Sequence, residues 1–378
     1  MAVEIAYELP YTQWNWRIGV YIAMIGIASG AYLMGYLADV RSWRLGEREH
    51  GRIAKYGYLV GLAGLAIGPP VLLSHLATPF RAMMIPLTMT NLGSWMALGA
   101  YMLMFFGLGT FIMFVWVAFG RERPHGTTTP DADEAVAADG GRDVASDGGS
   151  ESGPAQAATG GDTAGGIRRV FNRIGLLGAV DTVADRTRPT ETVRLGIGAL
   201  FGLFAAGVLI YSAMAYGSGP TERVALWDPT FLVPVQIFGG LAAGLTVAVG
   251  LAALERGRAG RAIQQYALVA AGLLAATLVA VLATVVLLPE QVPAAEPAVD
   301  TLLSTQATLF VGGAVVAGLV VPIVLLLGGV FGQRREAISP TGTAAALVAA
   351  GALVIVGKVA LALAYLLAAE FTPMPLPM

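Results

Sequence analysis

Apolar residues gather along the chain into eight long stretches, separated by short polar or basic segments. They run over Arg17–Ala38, Ala54–Leu76, Leu92–Phe119, Val193–Tyr216, Phe231–Leu254, Ile263–Leu288, Gln306–Phe331 and Thr343–Ala369. Each exceeds the roughly 20 residues that a helix needs to cross a hydrocarbon core of about 30 Å. The pattern predicts an all-α, polytopic membrane protein with about eight transmembrane helices in two four-helix bundles. The first stretch does not read as a cleaved signal peptide. No basic residue precedes Arg17, and the apolar run is longer than an h-region.

Composition narrows the chemistry. Hydrophobic residues make up 56% of the chain and charged residues 13%, about half the charged share of a soluble domain. An ordinary soluble enzyme is excluded. With no cysteine, the chain holds no disulfide, no thiolate-bound zinc and no cysteine-ligated iron–sulfur cluster. Three histidines, of which only His75 lies in an apolar segment, are too few for a di-haem cytochrome b. Nothing in the charge pattern points to nucleic acid.

The basic residues predict an orientation. Nineteen of the 23 follow the first, third, fifth or seventh stretch, from Arg41 to Arg335. Short cytoplasmic loops carry such an excess, so both termini are expected outside and residues 121–190 in the cytoplasm. This divides the chain into residues 1–120 with three spans, a loop over 121–190, and residues 191–378 with five spans. Within the loop, Asp131–Gly165 carries eight acids against one Arg among Gly, Ala, Ser and Thr. Such a segment buries too little apolar surface to offset its ordering entropy and reads as disordered. Ile167–Val180 after it could form a short interfacial helix with Arg168, Arg169 and Arg173 toward headgroups.

Small-xxx-small spacings recur at Gly26/Gly30, Gly57/Gly61, Gly64/Gly68 and Gly240/Gly244. They let helix backbones approach closely in lipid, and mark packing more than chemistry.

Polar groups at membrane depth are costly, and here they concentrate at the outer side. The first span opens on Trp14-Asn15-Trp16-Arg17, with Tyr21 one turn in. The second closes on Ser74-His75-Leu76-Ala77-Thr78-Pro79-Phe80-Arg81, and the third opens on Asn91-Leu92-Gly93-Ser94-Trp95. An aromatic belt and a helix cap would explain some of these. His75 asks for more, because an imidazole just inside the boundary needs a partner and can exchange a proton near neutral pH.

These residues resemble the polysulfide-reductase membrane-subunit (NrfD-type) family. The likeness lies in Trp16, Tyr21 and Gly30-Ala31-Tyr32, then in Leu72-Leu73, Leu76, Pro79 and Arg81, then in Ser94-Trp95. Gly207-Val208-Leu209, Trp227 and Pro234 continue it. The sequence departs from that pattern at two positions. His75 stands where the family often has Asp, and Ala205 and Ala206 stand where many members have a tyrosine. Tyr211, one to two turns further out on the same helix, could take that tyrosine's place. The resemblance implies an integral membrane subunit of a respiratory oxidoreductase in the cell membrane, binding a quinol or quinone of the menaquinone type. Such a subunit holds no catalytic metal centre, haem or iron–sulfur cluster. It exchanges electrons near the outer face with a ferredoxin-like iron–sulfur subunit and, beyond it, a molybdopterin catalytic subunit.

Under that reading Asn15, His75 and Arg81 line the headgroup pocket, with Trp16, Tyr21, Asn91, Trp95 and Tyr211 as further candidates. Asn15 or His75 can donate to a carbonyl, and His75 can also move a proton. Arg81 would favour negative charge developing on the ring oxygens or would hold the partner subunit. Lys358 is the one ionisable residue read as lying deep within a span, roughly 22 Å past Thr343 at 1.5 Å per residue. A proton path, pairing with backbone carbonyls, or snorkelling to the outer interface would each accommodate it. The alternatives are a non-redox ion or proton transporter or membrane scaffold, and a single-haem protein using His75 with Met83 or Met84.

Overall fold

The computed structural model describes residues 15–76, 84, 93–120, 172–173, 175, 177–216 and 224–370. Among them there are ten helices and no strand. They are α1 (Trp16–Leu45), α2 (Arg48–Leu73), α3 (Trp95–Ala118), α4 (Leu177–Thr187), α5 (Glu191–Met214), α6 (Pro229–Arg256), α7 (Arg261–Gln291), α8 (Glu296–Leu303), α9 (Thr308–Arg334) and α10 (Pro340–Leu367). Eight are long and apolar enough to cross a membrane, all except α4 and α8. The polytopic all-α expectation holds, and each span falls on its predicted stretch.

Local chemistry sets the ends. The Asn15 side chain caps α1 by accepting from the Arg17 N–H at 3.0 Å, and Asp228 caps α6 by accepting from the Thr230 N–H at 2.8 Å. Gly46 and Gly257, at φ 66° and 60°, end α1 and α6 in the left-handed conformation that glycine adopts without strain. The first of these corrects the predicted end of the first span. With no breaker before Gly46, α1 continues past Ala38 to Leu45 and carries Asp39 inside the bundle, 5% exposed. Lys358 is therefore not the only buried ionisable group.

Helix α1 is the central strut. It packs on α2, α5, α6 and α10, while α6 packs in turn on α7 and α10, and α9 packs on α10. Helices α2 and α5 thus gather on α1, and α7 and α9 on the α6–α10 pair. The crossing of α1 and α6 depends on missing side chains. A Cβ on Gly30 would overlap the Gly240 carbonyl, and one on Gly244 would overlap the backbone at Ala31. Gly57 and Gly64 do the same for α1 against α2, meeting the carbonyls of Ala31 and Met24. Along α9, residues Thr308–Val320 form a wide π-helix, and Gly318 there meets Gly357 of α10 backbone to backbone. The predicted small-residue pairs are packing devices.

Residues 118–188 form a separate compact unit. A helix lies at Leu177–Thr187, after Gly175 at φ 71°, while much of the predicted Ile167–Val180 helix lies outside the described residues. Arg188 Nη1 donates to the Gly120 carbonyl at 2.7 Å. The acidic segment Asp131–Gly165 lies outside the described residues.

Candidate functional site

Contacts between helix ends sort the polar groups into two ends of the bundle. At one end Glu49 lies beside Arg256, Gln333 Nε2 donates to the Ala259 carbonyl, and Arg194 pairs with Asp39. This is the arginine-rich end. At the other, Asn15 meets His75, and Trp227 Nε1 donates to the Tyr365 carbonyl at 2.9 Å.

The Asn15–His75 contact is the core of the candidate site. Asn15 Nδ2 stands 3.0 Å from His75 Nδ1. The Asn15 oxygen is already engaged in capping α1, so its amide nitrogen faces the ring and can only donate. His75 Nδ1 therefore accepts, and the neutral imidazole carries its proton on Nε2. The turn that presents His75 is held on both sides. Its own N–H donates to the Leu72 carbonyl at 2.9 Å, and Arg17 Nη1 donates to the Ser74 carbonyl at 3.1 Å. Arg17 stands in the outer polar cluster of the sequence but is not among its candidate site residues.

One turn and a half deeper, at about 9 Å along α1, Tyr21 is buried and its phenol faces that of Tyr211 on α5. The Tyr211 ring occupies the space where a Cβ on Gly99 of α3 would stand. Gly99 is thus the residue that admits Tyr211, and the substitute tyrosine expected from the sequence does reach the α1 side of the bundle.

Deeper again, Lys358 Nζ donates to Gln236 Oε1 at 2.8 Å, both residues being buried. The pair lies against Gly26 of α1, with Lys358 Cε 3.6 Å from the position of an added Cβ. Beside it is a small cavity, with room for about one water, lined by Tyr216 and Tyr365 among others. Lys358 neither snorkels nor pairs with backbone carbonyls. A side-chain amide on the neighbouring span, that of Gln236, meets its donor.

The remaining predicted residues fall elsewhere. Trp16 is 59% exposed, with the Arg17 guanidinium over its ring at 5.7 Å. Trp95 is half-buried at the start of α3. Arg81, Asn91 and Met83 lie outside the described residues. No cluster of metal-ligating side chains occurs among the described residues.

A second buried polar group lies at the arginine-rich end. Arg194 Nη2 donates to Asp39 Oδ1 at 2.9 Å and to Glu191 Oε2 at 2.7 Å, and Tyr58 donates to Asp39 Oδ2 at 3.2 Å. Both oxygens of the carboxylate thus accept from a donor, as burying a charge requires.

No curated protein matches this chain. The family model described as polysulphide reductase, NrfD, matches residues 8–369, nearly its whole length. The chain belongs to the polysulphide reductase NrfD family, membrane subunits of oxidoreductase complexes.

Proposed function

We propose that this chain is the quinol- or quinone-reactive subunit of a respiratory oxidoreductase. It exchanges electrons near the outer face with a ferredoxin-like iron–sulfur subunit that leads to a molybdopterin catalytic subunit. The observation that carries the reading is the Asn15–His75 contact at 3.0 Å. Among the described residues it leaves the ring Nε2–H uncommitted, with a tyrosine pair about 9 Å deeper along α1.

The residues fit a quinone headgroup. Such a group needs an apolar slot, a donor for each of two carbonyls, and a route for protons. His75 Nε2–H and the Tyr21 or Tyr211 hydroxyl are donors at two depths on the same flank of α1, set in apolar helix surface. When bound, a quinone of the menaquinone type carries two electrons and two protons. Asn15 orients the imidazole, Arg17 fixes the turn that bears it, and His75 gives or takes a proton at Nε2. Tyr211 and Tyr21 hold the deeper carbonyl end. Lys358, about 7.5 Å further along α1 at Gly26, lies on the proton side of the site with the Gln236 amide as its acceptor. The arginine-rich end faces the cytoplasm in this reading, by the positive-inside rule, and both termini face outward.

The test is quinol-analogue oxidation by His75→Ala, with assembly followed by co-purification of partner subunits. A dead but fully assembled complex is expected. Wild-type turnover with wild-type sensitivity to a quinone-site inhibitor would overturn the assignment.

A further inference from the structure

At the arginine-rich end, the last turn of α1, the loop into α2 and the first turns of α7 enclose a cleft of about 240 Å³. It is distinct from the Asn15–His75 cluster, which lies at the opposite ends of α1 and α2. The wall of this cleft is a built one. His50 is 1% exposed, with Nδ1 at 3.1 Å from the Tyr266 hydroxyl and Nε2 at 3.0 Å from Glu47 Oε2. Glu49 is committed as well. Its Oε2 accepts from the Ala262 N–H at the start of α7 at 3.1 Å, and its Oε1 lies 3.6 Å from Arg256.

The two carboxylates that line the cleft are therefore already engaged. The two arginines are not. Arg41 and Arg261 come from separate helices, both line the cleft, both are exposed, and neither has a hydrogen bond or ion pair among the described residues. Leu45, 54% exposed, lines the same cleft, and Trp43, 43% exposed, stands two residues before it on α1. Open guanidinium groups beside bare apolar surface, at the ends of membrane spans, make an amphipathic seat.

We propose that this cleft holds the headgroup phosphate of an anionic phospholipid between Arg41 and Arg261, with its glycerol and acyl portion against Leu45. The guanidinium fork matches phosphate oxygens in pairs, and basic pockets between membrane helices take anionic headgroups in this way. A soluble phosphate offers the same oxygens. The apolar wall at Leu45 favours the lipid as their source. Seated there, the lipid ties α1 to α7 at the end where His50 and Glu49 already join α2 to α7.

The experiment is native mass spectrometry of the full-length protein in detergent, titrated with phosphatidylglycerol or with phosphatidylcholine of the same acyl chains. Wild-type protein should retain phosphatidylglycerol roughly thirtyfold better, as expected for two basic contacts at about 1 kcal/mol each. The double variant Arg41→Gln/Arg261→Gln should fall to parity, while Arg44→Gln, one turn along α1 and outside the cleft lining, should keep the preference. Glu47→Gln removes a like charge and should raise phosphatidylglycerol retention severalfold, a gain that misfolding cannot produce. Equal retention of both lipids by wild type, an unchanged preference in the double variant, or a loss of preference in Glu47→Gln would each overturn the proposal. Displacement of the lipid by millimolar inorganic phosphate would overturn it in favour of a soluble anion.

Discussion

The side-chain amide of Asn15 joins the cap of α1 to the imidazole at the end of α2, with Nδ2 3.0 Å from His75 Nδ1. One side chain thus does two jobs, and the first determines the second. Because Oδ1 satisfies the Arg17 N–H, the amide cannot rotate to offer its oxygen to His75 without uncapping the helix.

That coupling makes Asn15→Asp informative. Aspartate caps a helix as well as asparagine does, so assembly should be preserved. The carboxylate can only accept, however, so it draws a proton onto Nδ1 and favours the charged ring. The acidic limb of the quinol-oxidation pH profile should move to higher pH by about one unit or more. An unchanged profile with normal assembly would show that His75 is not the group whose proton matters. Asn15→Ala, by contrast, should lose about 1 kcal/mol of helix stability along with the His75 contact, read as a lower melting temperature in detergent.

The Lys358–Gln236 bond predicts an asymmetry between its two partners. Gln236→Leu leaves an amine buried without its acceptor and should be the more destabilising change. Lys358→Met strands only an amide oxygen, at about 1–3 kcal/mol. Lys358→Met should assemble but impair quinone-linked proton uptake. Normal turnover and normal proton stoichiometry in that variant would remove Lys358 from the mechanism. Thermal melts of the two single variants and the double variant measure their coupling.

Close backbone contact sets a third expectation. Gly30→Ala places a methyl on the Gly240 carbonyl and should abolish stable assembly. Gly272→Ala has open space around it and should melt at or slightly above the wild-type temperature. A Gly30→Ala protein that melts normally would contradict the observed α1–α6 crossing.

At the arginine-rich end, Arg194→Met strands the Asp39 carboxylate and should cost about 3–5 kcal/mol. The double variant Asp39→Leu/Arg194→Met should recover most of that loss, as read by melting temperature. No recovery would mean that the pair also serves another group, of which Glu191 and Tyr58 are the candidates.

The sequence made the eight spans and the glycine contacts legible, because lipid imposes length and close packing that composition records directly. It placed Asn15, His75 and Tyr21 at one end for the same reason. It could not reveal which atoms would meet. Nothing in an apolar run marks Gln236 as the acceptor for a lysine 122 residues later, or Gly99 as the opening for Tyr211. Those pairings follow from helix rotation, which spacing alone leaves undetermined. Asp39 was missed for a simpler cause: hydropathy falls at Ala38, but the helix runs on to the glycine at position 46.

Orientation is tested independently of chemistry. The Asp131–Gly165 segment should be cleaved by protease in inverted vesicles and protected in intact cells. Cleavage from outside would reverse the topology, and the proposed docking of the iron–sulfur subunit would fall with it.

The most direct measurement of the central proposal is photolabelling of the assembled complex with an azidoquinone, followed by peptide mapping. Label should fall on the peptides bearing Tyr21, His75 and Tyr211, be competed by excess unlabelled quinone, and be lost in His75→Ala. Label confined to the lipid-facing surfaces of α7 and α9, with none at those three residues, would contradict it.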